Sequence, residues 1–225
     1  MQQTILPPWR SVLAVVAHPD DESFALGALL AAFADAGAVV SVLCLTRGEA
    51  STLHGVTGDL LELRAAELAT AADVLGLGEV ELLTHPDGRL AEVELQLLAS
   101  EVSAVARRVH ADGIIGFDLN GVTGHADHAH ATAAAVAAAE TLGLPVLGWT
   151  VPDRVADQLR HEHGAPFDGY PDAEIDLVVT VERTLQRKAA KCHQSQAVPG
   201  SVMWRRLELL GEREHLRWLR RSDPS

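Results

Sequence analysis

Two short stretches concentrate the residues able to do chemistry. The first, AHPDDE, places His18, Asp20, Asp21 and Glu22 directly after an apolar run, and the second, GHADHAHA, places His125, Asp127, His128 and His130 just before an alanine-rich segment. Imidazole nitrogen and carboxylate oxygen are donors that zinc accepts, and a catalytic zinc site keeps three protein ligands and one position for water. One His and one Asp from the first stretch, with one His from the second, make such a set. The residues left over have matching chemistry. Asp20, beside the ligand pair, can take a proton from an activated water. His125 can stabilise developing negative charge as an imidazolium, with Asp127 holding its ring. Together these groups suit a hydrolase. A helix cap would account for one carboxylate, Asp21 or Glu22, but not for a His and two adjacent Asp at one place. His130 reads as a polar residue on a helix face.

Such groups need a scaffold that brings them together. Short β-branched runs alternate with Ala/Leu-rich segments of helical length along the chain. The patterning predicts strands near 11–17, 39–46, 80–85, 111–118, 145–151 and 175–181, and helices near 23–36, 60–75, 93–109, 128–142, 182–193 and 202–221. Continuous apolar strands such as VVSVLCL predict burial on both faces. The expected fold is therefore an α/β, Rossmann-like three-layer α/β/α domain with a mainly parallel sheet. No repeat or linker divides the chain, so one domain is expected over 1–225, with a core of about 11–196 and a C-terminal helix of about 202–221. EASTLHGVTGD and RHEHGAPFDGYPD read as surface loops. In open α/β sheets ligands gather beyond the carboxyl ends of strands. The first motif follows the first strand and the second follows the fourth, so the two can meet.

Composition narrows the function classes. With 48% hydrophobic and 22% charged residues in 225, the chain has the makings of a folded core. A net charge of -13 argues against a protein that grips nucleic acid. No apolar stretch is long enough to span a bilayer, and MQQTILPPWR lacks the features of a signal peptide, so a cytoplasmic location is expected. Cys44 and Cys192 fit no metal-binding spacing and are expected to be reduced thiols. A nucleotide-binding or regulatory Rossmann module is disfavoured, because no GxGxxG follows the first strand.

AHPDDE followed by GHADHAHA resembles the LmbE-like, or PIG-L, deacetylases, metal-dependent enzymes that remove acyl groups from N-acylated amino sugars. TRGE, LRAAELATAADVLGL, HPDGRL and KAAKCHQSQ are similar to family segments in family order, so the resemblance runs from Ser11 to Gln196. It implies Zn(2+) as cofactor, His18, Asp21 and His128 as ligands, Asp20 as general base, and His125 with Asp127 as the charge-stabilising pair. It also implies that Arg64 and Asp87 contact sugar hydroxyls; on their own they read as a helix-face Arg and a turn Asp. The implied reaction is hydrolysis of an N-acyl, chiefly N-acetyl, bond on an amino sugar or glucosamine conjugate. An amidase of the same scaffold acting on a thiol conjugate or antibiotic precursor is the alternative. The implied partner is that small molecule, without nucleic acid or membrane insertion; a homo-oligomer is compatible with the reading. Two departures stand out: Ala126 where the family commonly has Pro, and Val122 and Thr123 where some relatives carry an aromatic donor. His193 is a candidate pocket residue, whereas Ser195 and Gln196 read as caps of the following segment, outside the expected site.

Overall fold

In the computed structural model, which describes residues 4–222, the first apolar run becomes β1 (Ser11–Val16), buried from Val12 onward. β2 (Val39–Thr46) and β4 (Gly113–Phe117) lie on either side of it, both parallel to it. β3 (Val80–His85) extends the sheet beyond β2, and β5 (Val146–Thr150) extends it beyond β4, again in parallel. β7 (Arg213–Arg220) then pairs antiparallel with both β5 and β6 (Leu177–Thr180), giving the order β3-β2-β1-β4-β5-β7-β6. The chain winds outward from β1 to β3 and restarts at β4 on the other side. The boundary between β1 and β4 is therefore the topological switch point, where an open α/β sheet opens a crevice at its carboxyl end.

Helices cover both faces and make the three layers. On one face α2 (Gly27–Asp35) buries Leu29, Leu30 and Phe33 against Val12, Ala14 and Val16. On the other, α4 (Leu95–Arg108) and α5 (Ala126–Leu142) pack Leu98, Val102, Ala134, Ala135 and Ala138 against Leu13, Val15 and Leu43. α3 (Leu60–Leu75) matches its expected span because both ends carry local signals. Asp59 accepts from the N–H groups of Leu61 and Glu62 at 3.0 and 3.2 Å, and Gly76 closes the helix at φ 69°.

The structure corrects three expectations. The helix expected over 202–221 is α8 (Val202–Leu210) only; it stops at Gly211, φ 57°, and REHLRWLR continues as β7. The leucine spacing there suits a helix, but pairing with β5 on one side and β6 on the other outweighs it. α6 (Asp153–His163) was not expected, and it takes up the start of the segment read as the loop RHEHGAPFDGYPD. Its apolar stripe is only Val155, Ala156 and Leu159, within an otherwise charged run. The helix expected near 23–36 divides into α1 (Asp21–Phe24) and α2. α7 (Thr184–Cys192) completes the helices. Both cysteines are free, and among the described residues no helix is long and apolar enough to cross a membrane.

Candidate functional site

β1 leads straight into the first motif, whose backbone is tied by its own side chains. His18 N–H donates to Asp21 Oδ2 at 3.0 Å, and Asp20 N–H donates to Glu22 Oε2 at 2.9 Å. Asp20 is the N-cap of α1, with φ 127° and ψ −24°, a conformation rare for a residue with a Cβ. Its carbonyl accepts from Ser23 and Phe24, but its carboxylate makes no capping bond. That carboxylate instead lies 3.2 Å from Arg64 Nη2.

The second motif enters from β4 at the head of α5, with His125 as N-cap and Asp127 and His128 in the first turn. His128 Nε2 lies 3.2 Å from His18 Nδ1 and 3.2 Å from Asp21 Oδ1, while His18 Nδ1 is 3.5 Å from Asp21 Oδ2. His18, Asp21 and His128 thus form a buried group able to hold a metal ion. Their outer partners fix the rings. His128 Nδ1 faces Thr123 Oγ1 at 2.7 Å and the Gly121 carbonyl at 3.3 Å, and His18 Nε2 faces Asp87 Oδ1 at 3.1 Å and Asp127 Oδ2 at 3.4 Å. With a metal bound, these contacts suit the tautomers protonated on the outer nitrogens, which leave His18 Nδ1 and His128 Nε2 as donors beside Asp21.

The other expected residues lie nearby with partners of their own. Asp127 does not hold the His125 ring. Its carboxylate accepts from Gly88 N–H at 2.7 Å and Leu90 N–H at 3.0 Å, and the link to His125 is Asp127 N–H donating to Nδ1 at 3.3 Å. The reason is positional: a helix N-terminus needs acceptors for free N–H groups, and the N-cap imidazole supplies one. The bond also leaves the His125 proton on Nε2. Arg64, 3% exposed, donates to the carbonyls of Gly48 (2.8 Å) and Pro19 besides pairing with Asp20. Gly48 takes φ 68°, and a Cβ on it would sit 1.9 Å from Arg64 Nη1, so a larger residue would displace that guanidinium. Asp87 accepts from Ala50 N–H at 2.8 Å in addition to its contact with His18. Both therefore brace the site, whatever they also offer a ligand.

His18, Asp20, Asp21, Arg64, Asp87, His125 and His128 line one cavity of about 550 Å³, whose lining also includes the polar Ser51 and Gln196 and the apolar Pro166, Phe167 and Met203. Gln196 is thus a pocket residue that the sequence reading left out. Its Nε2 donates to the Thr52 carbonyl at 3.0 Å, and Ser51 Oγ donates to its Oε1 at 2.7 Å. His193 lies behind the site, on Glu22 at 2.7 Å, and Ser195 donates to Glu67 from both N–H and O–H. His130 is on the Val93 carbonyl at 3.3 Å, away from the cavity lining.

The ionisable groups pull apart in character. Burial pushes the Asp20 carboxyl up to about 6, against the opposing pull of Arg64. Burial would raise Asp21 as well, but His128 and His18 outweigh it and hold that carboxyl well below its usual value. His18 is held well above the ordinary imidazole value: burial opposes this, and hydrogen bonds to Asp127, Asp21 and Asp87 prevail. Burial, reinforced by the neighbouring His18 and His128, lowers His125. Adjacent aspartates thus differ as a proton acceptor and a permanent anion should.

Two outcomes follow from the bracing contacts. Arg64→Ala leaves two carbonyls and the Asp20 carboxylate without their cation, so urea unfolding should register a loss of about 1.5–3 kcal/mol. A wild-type unfolding midpoint would show that these bonds contribute nothing. Asp87→Ala removes one acceptor from His18 Nε2 and should weaken metal binding by roughly 10–100-fold. Competition with a chromophoric chelator measures that change, and an unaltered affinity would leave Asp127 alone as the partner that orients His18.

A family model described as PIG-L, GlcNAc-PI de-N-acetylase, matches residues 13–139 and so spans both motifs. A 1D-myo-inositol 2-acetamido-2-deoxy-alpha-D-glucopyranoside deacetylase of Kineococcus radiotolerans is 33% identical over 219 residues, covering 76% of this chain and 61% of that protein. The chain therefore spans less than two thirds of that relative. N,N'-diacetylchitobiose deacetylase of Pyrococcus horikoshii superposes with TM-score 0.69 at 19% identity, covering 94% of this chain and 84% of that one. The 4-carboxy-2-hydroxymuconate hydratase of Pseudomonas putida KT2440 superposes with TM-score 0.71 at 18% identity, covering 96% and 98%. A deacetylase and a hydratase share this fold, so these superpositions speak to architecture alone. The sequence match, which extends over more than half the chain and includes every residue of the metal-ligating group, carries the assignment: the chain belongs to the PIG-L family.

Proposed function

We propose that this chain is a zinc-dependent hydrolase that removes an N-acyl group, chiefly N-acetyl, from an amino sugar or glucosamine conjugate. One observation carries the reading: the donor triangle of His18 Nδ1, His128 Nε2 and Asp21, with separations of 3.2 to 3.5 Å. Donors about 2.0–2.1 Å from a tetrahedral zinc lie roughly 3.3–3.4 Å from one another. Two imidazoles and one carboxylate are also a donor set of the catalytic kind. A zinc ion in that triangle, when bound, supplies Lewis-acid activation of the amide and acidification of water.

The protein's own groups carry the proton traffic. Asp20 lines the cavity beside the triangle and is the more basic of the adjacent aspartates, so it takes the proton from the attacking water. The water oxygen bonds to the acyl carbon, and the C–N bond breaks. The amine leaves with a proton returned from the site, the acid as its carboxylate. His125 Nε2–H, on a ring whose charged form burial disfavours, donates to the acyl oxygen as charge develops. Thr123, which stands where some relatives have an aromatic donor, has its hydroxyl on His128 Nδ1 at 2.7 Å, so the oxyanion donor falls to His125.

The cavity volume, about 550 Å³, falls within the usual range for small-molecule clefts. Its polar lining residues suit sugar hydroxyls and its apolar ones an acyl group or aglycone. Glucosaminides of a polyhydroxylated alcohol, the substrate class named for the Kineococcus relative, are the first candidates. Metal analysis of the purified chain should find one zinc. Amine release from a panel of N-acetylglucosaminides should then stop on chelation and return with added zinc. A zinc-loaded chain that frees no amine from any N-acyl amino sugar would end this reading.

A further inference from the structure

An aspartate at an N-cap ordinarily turns its carboxylate onto the free N–H groups of its own helix. Asp20 does not, although it is the N-cap of α1. Its φ of 127° turns the side chain away, and that conformation needs a hold from outside, because an L-residue left to itself leaves it. The hold is visible. Asp20 N–H donates to Glu22 Oε2 at 2.9 Å, and Glu22 is wholly buried. Its other oxygen accepts from Ser23 O–H at 2.5 Å and from His193 Nε2 at 2.7 Å. His193, at the end of α7 and 171 positions from Glu22, is also wholly buried, and its Nδ1 has no partner among the described residues. Burying an imidazole for a single polar contact is a poor way to stabilise a core, which an apolar side chain of similar size would fill without an orphaned nitrogen. Neither residue lines the cavity.

We propose that Glu22 and His193 are positioning residues, a buried latch that pins the Asp20 peptide so that its carboxylate faces the cavity while that of Asp21 faces His18 and His128. The latch keeps the base from capping its own helix. The proposal rests on the reading of Asp20 as general base. Glu22→Met keeps the volume and removes the acceptor; Glu22→Gln keeps an acceptor for Asp20 N–H. Glu22→Met should lower kcat by about 10–100-fold with KM and zinc content unchanged, as expected when a reacting group is displaced by an ångström. Glu22→Gln should recover most of the rate, and His193→Leu should fall in the same direction as Glu22→Met. In an Asp20→Asn background, neither Glu22→Met nor His193→Leu should lower the residual rate further.

A purely packing role would be served by Met as well as by Gln. Wild-type kcat in Glu22→Met, zinc lost in step with rate, or losses that add to that of Asp20→Asn would each overturn the latch. If Glu22→Met does not fold, His193→Leu with and without Asp20→Asn decides by the same criteria. Full activity in Asp20→Asn alone would instead remove the base reading and the latch with it. Wild-type kcat in Glu22→Met beside an inactive Asp20→Asn removes only the latch.

Discussion

Asp20→Asn should carry zinc like the wild-type chain and turn over on the order of 10²–10⁴-fold more slowly. Asparagine keeps the shape of aspartate and can still accept a hydrogen bond, but it cannot take a proton at neutral pH. The carboxylate makes no capping bond and belongs to no metal-ligating group, so the fold and the donor triangle do not depend on it. Among the described residues its one ion pair is with Arg64, whose bonds to the Gly48 and Pro19 carbonyls remain. The loss is therefore expected in kcat, with metal content and unfolding midpoint close to wild type. Zinc stoichiometry and single-turnover rate, measured on one preparation, separate the possibilities. A variant that keeps both zinc and rate would show that another group accepts the proton, and His125 would be the first to examine.

The sequence made the scaffold legible where local and global preferences agree. β1 and β2 are continuous apolar runs buried almost throughout, and α3 carries a capping Asp59 and a closing Gly76. At β7 they conflict: REHLRWLR can be read as helix or strand, and only its neighbours β5 and β6 decide. α6 was hidden by its charge, because three buried apolar residues in an eleven-residue run are a faint stripe. The same division applies at the site. The types and spacings of His18, Asp21 and His128 announced a metal group because the two motifs end strands that lie side by side. The destination of Asp127 was not readable, since its partners Gly88 and Leu90 come from a loop 39 and 37 positions away. Glu22 looked like an ordinary helix acid because nothing near it in sequence suggests His193. Gln196 reached the cavity through contacts with Ser51 and Thr52, more than 140 positions away. Long-range polar partners leave no periodic trace in a sequence.

Asp21→Ala and His128→Ala should each lose zinc outright at stoichiometric loading, a larger effect than the 10–100-fold expected for an outer-shell change such as Asp87→Ala. Three protein donors leave no redundancy. Asp21 also accepts from His18 N–H, so removing it both deletes a donor and frees the loop that presents another. Asp21→Asn keeps that loop contact and should still weaken the metal, which separates ligand from brace. A second group, His18, His125 and Asp127, shares His18 and offers an alternative position. The first is favoured because its donor atoms lie 3.2 to 3.5 Å from one another, whereas the Asp127 carboxylate is already committed to Gly88 and Leu90 N–H. The two positions predict opposite patterns in chelator competition. If the metal sits on Asp21 and His128, then His125→Ala retains it; if it sits on the second group, His125→Ala loses it while His128→Ala stays fully loaded. Comparing the two Asn variants adds the remaining test, because zinc retained in Asp21→Asn and lost in Asp20→Asn would exchange the tasks of the adjacent aspartates.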